Sequence, residues 1–175
     1  MRYKHAVSSL FDSLKNLVSP ASLRSTWAYL QKVPGGGVLM GRLIGRMAPY
    51  TGTIRPEIIA LEAGYAKVRM NDVPRVRNHL RSVHAIALMN LGEVATGTAM
   101  LVSVPENSRA IITKLSMDYL KKARGPITAE CSCEVPSKAE RKEYTVTAEL
   151  KNGAGELVAV AHATWLVGPA ESRQA

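Results

Sequence analysis

The chain has 175 residues, 46% of them hydrophobic, enough to bury one sizeable core and to make one domain the expectation. Its formal net charge of +9, from 23 basic against 14 acidic side chains, implies attraction to something anionic, without choosing among nucleic acid, an acidic membrane surface and a phosphorylated cofactor. Cys131 and Cys133 stand two positions apart with no second ligand pair at metal-site spacing, so they read as reduced core cysteines, and no metal site is expected.

The segment Met1 to Val18 begins with positive charge and carries Leu10, Phe11, Leu14 and Leu17 at helical spacing. Asp12, Lys15 and Asn16 interrupt its apolar run, which makes it a poor secretory signal and leaves the cytoplasm as the expected compartment. Ser19-Pro20 is a cap followed by proline at the first helical position, opening a second helix over Ala21 to Lys32 with Leu23, Trp27 and Leu30. Pro34 and Gly35-Gly36-Gly37 break the chain before a short third helix, Val38 to Met47. There Leu39, Leu43, Ile44 and Met47 are apolar, and Arg42 and Arg46 lie four apart. Such a segment reads as a helix packed across a sheet, with peripheral contact to a membrane surface as the alternative.

Thr51 to Leu61 supplies a first strand, made irregular by Pro56. Glu62-Ala63-Gly64 is a turn, and Tyr65 to Met70 a second strand. Asn71 to Ser82, with Pro74 and three arginines, is a polar loop, and a helix follows over Val83 to Leu101. The longest apolar stretch, Val83 to Val104, contains His84, Asn90 and Glu93. A central charge costs a membrane helix roughly 2.5 to 3.5 kcal/mol, so a buried helix of a globular domain is the better reading. Its small residues Ala85, Ala87, Gly92, Ala95, Gly97 and Ala99 let a strand or a second subunit approach closely, which offsets the cost of about 1 kcal/mol for each glycine.

Three later segments alternate with a period of two. In Arg109 to Leu120, the face Ile111, Thr113, Leu115, Met117 and Tyr119 opposes Ile112, Lys114, Ser116 and Asp118. In Ile127 to Val135, the odd-numbered face includes both cysteines, and in Glu143 to Leu150 the apolar face is Tyr144, Val146, Ala148 and Leu150. Asn152-Gly153 marks a hairpin into a last strand, Leu157 to Val167, apolar on nearly both sides and suited to a central position or a subunit contact. Consecutive hairpin-like strands after a helix argue for an antiparallel sheet with that helix as its cover.

Asn78 lies in the loop, His84 in the first turn of the long helix, and Glu93 nine positions later, about 13 Å along the axis. Free backbone N–H groups at the helix start, Ala85 among them, can meet a carbonyl that is becoming an oxyanion, and a carboxylate can attack that carbonyl or activate water for it. One helix cannot easily bring both ends of that span onto one carbon, whereas two antiparallel copies across a dimer can. Asn90 and Thr96 bracket Glu93 as possible partners, with core hydrogen bonding the alternative.

The order of helical start, hairpin, asparagine-bearing loop, buried helix and long antiparallel strands resembles the hotdog fold, an α+β architecture in which an antiparallel sheet wraps a long central helix. Asn78-His79-Leu80-Arg81-Ser82-Val83-His84-Ala85 followed by Glu93 is similar to the active-site segment of PaaI-like acyl-CoA thioesterases, especially their DUF4442-type relatives. The resemblance implies a hotdog domain over 51–168, extra N-terminal helices over 1–50 and a flexible tail over 169–175. It further implies a thioesterase working as a homodimer or homotetramer on an acyl-CoA, coenzyme A being part of the substrate and not a separate cofactor. Asn78, His84 and the Ala85 N–H match the family's carbonyl-binding positions, and Glu93 matches its nucleophile or general base, supplied from the other subunit. Tyr119-Leu120-Lys121-Lys122-Ala123-Arg124-Gly125-Pro126 resembles the family's strand end and turn, so Lys121, Lys122 and Arg124, with Arg81 beside the loop, are the expected contacts to coenzyme A phosphates. His84-Ala85-Ile86 stands where many of these thioesterases have His-Gly-Gly. That departure favours the alternative of a noncatalytic acyl- or lipid-binding protein. With 5% aromatics and dispersed cations, nucleic-acid binding is not expected.

Overall fold

A computed structural model describes residues 19–170. The expected helix around Leu10 to Leu17 and the end of the expected tail lie outside the described residues. Helix α1 (Pro20–Leu30) begins as the sequence requires: Ser19 is extended, its Oγ accepts from Ser22 N at 3.1 Å, and proline occupies the first turn. Helix α2 (Gly36–Met47) starts two residues earlier than expected, after Gly35 takes a left-handed φ of 75°.

Helix α2 packs across a sheet through its glycines. A β-carbon on Gly41 would stand 1.7 Å from the Pro56 carbonyl oxygen, and one on Gly37 2.1 Å from that of Ile58. Backbone therefore meets backbone, and no other residue fits at this contact. The strand expected from Thr51 begins only at Glu57, because Pro49–Gly52 forms a short helix, α3, and Thr51 is buried within it. Pro56 ends that region, and β1 (Glu57–Glu62) is an edge strand, where the lack of ladder pairing by proline does no harm.

Strands β2 (Tyr65–Met70), β3 (Ser108–Tyr119), β4 (Ile127–Ser132), β5 (Lys142–Lys151) and β6 (Leu157–Pro169) complete one antiparallel sheet in the order β1-β2-β4-β5-β6-β3. β6 takes the inner position that its two-sided apolar character foretold, and β3 crosses over to form the far edge. Helix α4 (Ala85–Leu101) packs against all six strands, with Leu91, Ala95, Ala99 and Met100 fully enclosed. Its glycines sit where the sheet presses hardest. A β-carbon on Gly92 would come within 2.5 Å of the Ala161 β-carbon, and one on Gly97 within 3.0 Å of the Trp165 ring.

Strand β3 corrects one expectation. A bulge between Ile112 and Lys114 adds Thr113 to the count and reverses the phase of alternation. Ile112 pairs with Trp165, Leu115 with Ala163 and Met117 with Ala161 on the helix side, while Ile111 turns outward and is 48% exposed. Period-two reading had put Ile111 and Thr113 with Leu115. A one-residue bulge is invisible to that reading because it changes no residue type.

Candidate active site

The loop after β2 is held from two sides. Asp72 accepts from Arg77 Nε at 2.6 Å and from Gly125 N at 2.9 Å, tying the loop to the turn between β3 and β4. Burial opposes ionisation of Asp72, but Arg77 and the Gly125 N–H outweigh it and hold the carboxyl below its ordinary value. Within the loop, Asn78 Oδ1 accepts from Leu80 N at 3.0 Å and Ser82 N at 3.2 Å, and Asn78 N donates to Ser82 O at 2.8 Å. The asparagine thus spends its carbonyl on the turn, which Arg81 completes with a left-handed φ of 55°. Its amide nitrogen remains for other partners.

His84 is the N-cap of α4 and not a residue of the first turn. Its backbone is extended, and Nδ1 accepts from Ile86 N at 3.1 Å, a task that side chains at this position commonly perform. The extended cap also lets His84 N donate to Val76 O at 2.7 Å, and Val83 N donates to Ala123 O at 2.8 Å. The Ala85 N–H, next in line, has no acceptor among the described residues. Tyr119, at the end of β3, donates its hydroxyl to Ala85 O at 3.1 Å and fixes the helix start to the sheet edge.

These residues open onto separate clefts. Asn78, Ser82 and Ala85 share a cleft of about 340 Å³ with Tyr119, Lys121 and Lys122. Ser82 Oγ is buried there without a hydrogen-bond partner among the described residues. Glu93 lines a different cleft of about 380 Å³, walled by Tyr50, Ile86, Asn90 and the bulged stretch Ile112 to Leu115 of edge strand β3. His84 faces a third, of about 490 Å³, with Arg75 and Arg77, which shares Tyr50, Ile86 and Asn90 with the second. Of the four expected phosphate contacts, Lys121 and Lys122 join Asn78 and Ala85, whereas Arg81 and Arg124 are exposed and outside that lining. Lys121 also meets Glu156 at 3.1 Å in an exposed pair of the kind worth little in water.

Glu93 is half-buried, and among the described residues nothing hydrogen-bonds or pairs with its carboxylate. Burial alone pushes its pKa above the ordinary carboxylate value. Glu93 lies beside Gly97, its Oε1 3.7 Å from where a β-carbon there would stand, on the side of the helix that meets the Trp165 ring. Neither suspected partner reaches it. Asn90 donates to Tyr50 O at 3.1 Å, and Thr96 donates to the backbone carbonyl of Glu93 itself at 3.1 Å, so both are core hydrogen-bonding groups.

Sequence reasoning passed over Asp72, Ser82 and Tyr119, whose roles depend on contacts between distant segments. Asp72 alone left a signal, as an acid among the arginines of the loop. The two cysteines are free; hydrogen bonding to Cys133 together with burial pushes the Cys131 thiol up. Among the described residues, no group of three or more His, Cys, Asp and Glu side chains is placed to hold a metal, and no helix is long and apolar enough to cross a membrane.

No curated protein matches the chain. Among solved structures, a crystal structure described only as a genomics target is 29% identical, covering 84% of this chain and 97% of its own with a TM-score of 0.72. A protein of unknown function from Pseudomonas aeruginosa, described as a probable thioesterase, is 23% identical over 73% of this chain and 91% of its own, with a TM-score of 0.66. A substituted form of the phenylacetic acid degradation protein PaaI from Thermus thermophilus is 21% identical over 67% of this chain and 97% of its own, with a TM-score of 0.58. Residues 36–167 match the family described as DUF4442, a domain of unknown function. With a central helix wrapped by an antiparallel sheet and three quarters of its length inside that match, the chain has the hotdog fold and belongs to the DUF4442 family.

Proposed function

We propose that the protein is a thioesterase that hydrolyses an acyl-CoA at a site shared between two copies of the chain. One observation carries this reading: a lone, half-buried carboxylate, Glu93, faces an apolar cleft without any partner among the described residues. A charge left so in an otherwise apolar helix costs stability, and general base or nucleophilic catalysis is the use that such a group serves.

The thioester carbonyl would lie at the start of α4, accepting from the Ala85 N–H and oriented by the Asn78 amide nitrogen. Glu93 of the opposite copy would deprotonate a water that attacks that carbon, or attack it directly to give an anhydride that water then cleaves. In either case the C–S bond breaks, the coenzyme A sulfur leaves and takes up the proton, and the acyl group departs as the carboxylic acid. His84, capping the helix from another cleft, acts as a positioning residue for the Ala85 N–H. The unpaired outer edge of β3 supports a two-subunit arrangement, because it borders the Glu93 cleft and exposes Ile111 and Tyr119. Lys121 and Lys122 suit the coenzyme A phosphates, since they share a cleft with Asn78, Ala85 and the unpartnered Ser82 hydroxyl.

A noncatalytic acyl-binding role is the second reading. Ile86, the bulkier residue of the His84-Ala85-Ile86 run, is half-exposed in the Glu93 cleft, where its side chain narrows the space for a reacting acyl group. A panel of short, aromatic and long acyl-CoA substrates separates the two. Turnover that Glu93→Gln abolishes supports hydrolysis, and an inactive protein that retains acyl ligand through purification supports binding alone.

A further inference from the structure

Charge is distributed very unevenly along this chain. Residues 1–56 hold eight lysines and arginines against a single acid, Asp12, while the remainder holds fifteen against thirteen. Seven of the nine net positive charges thus lie in the first third, and no carboxylate occurs between Asp12 and Glu57. Helix α2 lies inside that stretch. One of its stripes, Gly37, Met40, Gly41 and Ile44, is pressed onto β1. The opposite stripe consists of Val38, Leu39, Arg42, Leu43 and Arg46, with the three aliphatics 37%, 42% and 36% exposed. Among the described residues no carboxylate pairs with Lys32, Arg42 or Arg46. Tyr29 and Tyr50, 71% and 65% exposed, stand on either side of α2 in the chain.

We infer that the outward face of α2 is a docking surface for an anionic lipid bilayer. Two observations carry the choice of occupant. The stripe interleaves aliphatic and arginine side chains on one helical face, so one surface must satisfy both; a bilayer boundary offers acyl chains below and phosphates at the level of the guanidinium groups. Lys32, Arg42 and Arg46, which no carboxylate pairs among the described residues, complement a negative surface. A nucleic acid would use the arginines and gain little from exposed Leu39 and Leu43. Tyr50 also lines the Glu93 cleft. The inference does not depend on catalysis.

The test is flotation of the full-length protein with vesicles of phosphatidylcholine alone and of an equimolar mixture with phosphatidylglycerol. Wild type is expected to float with the mixed vesicles at low salt and to be released as ionic strength rises. Arg42→Gln/Arg46→Gln should weaken that binding at least tenfold, from about fivefold per arginine near an anionic surface. Leu39→Ser/Leu43→Ser, which leaves charge unchanged, should weaken it as well and raise the salt sensitivity of what remains. Unchanged thermal unfolding and size-exclusion profiles establish that both variants are folded. Equal binding to neutral and mixed vesicles, no binding to either, or undiminished binding by both variants overturns the inference. So does a fall in oligomer mass caused by the leucine variant without loss of vesicle binding, which makes the face a contact between copies, or arginine-dependent binding to RNA alone.

Discussion

Helices α2 and α4 both carry glycines at close contacts, and they use them differently. In α2 the glycines bring the helix against the backbone of one edge strand, and the outer stripe stays free for solvent or a partner. In α4 they admit side chains from the sheet, Ala161 at Gly92 and Trp165 at Gly97, and the helix is enclosed almost all round. The difference teaches how to read a charge. Arg42 and Arg46 cost nothing where they are, so they argue only when taken with their neighbours. Glu93 sits where charge is expensive, which is what makes it a candidate for a functional role.

The sharpest way to break this contrast is to neutralise the expensive charge. Glu93→Gln should reduce thioesterase turnover by a factor of roughly 10² to 10⁴, the range for loss of a general base or nucleophile. Burial raises this carboxyl, so wild-type activity should climb with pH through a value above that of an ordinary carboxylate. The same shift fixes the sign of the stability effect. The folded state holds the proton more tightly than the unfolded chain, an advantage that is complete below the unfolded pKa and lost as pH rises through the folded one. Glu93→Gln should therefore raise the melting temperature at neutral pH and leave it unchanged in acid. Equal turnover in both proteins would remove Glu93 from the mechanism.

The glycines separate the two kinds of contact. Gly41→Ala sets a methyl against a backbone carbonyl that cannot rotate away and should cost about 3 kcal/mol, despite the better helix propensity of alanine. Gly92→Ala meets the Ala161 β-carbon and the flexible end of Met117, so a smaller loss of ~1 to 2 kcal/mol is expected in urea unfolding. A reversed order would mean that β1 yields more readily than the sheet over α4.

Much of this architecture was legible because strand alternation and helix punctuation are local. Ser19-Pro20 marked the start of α1, and Tyr144, Val146, Ala148 and Leu150 marked the inward face of β5. What escaped was set by distant partners. Thr51 looks like a strand residue until Pro49 and the approach of Gly45 to Gly52 fold it into a helical turn. The β3 bulge follows from its ladder with β6. In the candidate site, the sequence brought out Asn78, Ala85 and Glu93 as residues but not that Glu93 opens onto a different cleft from the other two. The cap role of His84 depended on which way one ring nitrogen points.

Between the helices and the loop stands Asp72, a charge that is half-buried but paired. Asp72→Asn would forfeit the charged bond to Arg77 and weaken that to Gly125, a loss of about 1 to 2 kcal/mol. Its carboxyl is lowered on folding, so its contribution is complete above the unfolded carboxyl pKa and disappears as pH falls through the lower folded value. Wild type and variant should converge in strong acid and differ at neutrality. If they differ equally at both, the tie between loop and turn is steric and not electrostatic.

The smallest effect is expected on the outer stripe of α2. Leu39→Ala keeps helix propensity nearly unchanged and removes a side chain that is 42% exposed, so stability should move by no more than about 0.5 kcal/mol in urea unfolding. A residue so dispensable to the fold has a free choice of side chain, and a leucine beside two arginines is a poor choice for water alone. A larger loss would show that Leu39 is packed in the folded chain and would take it out of the outer stripe. A null result leaves its apolar character to be explained by whatever the stripe meets.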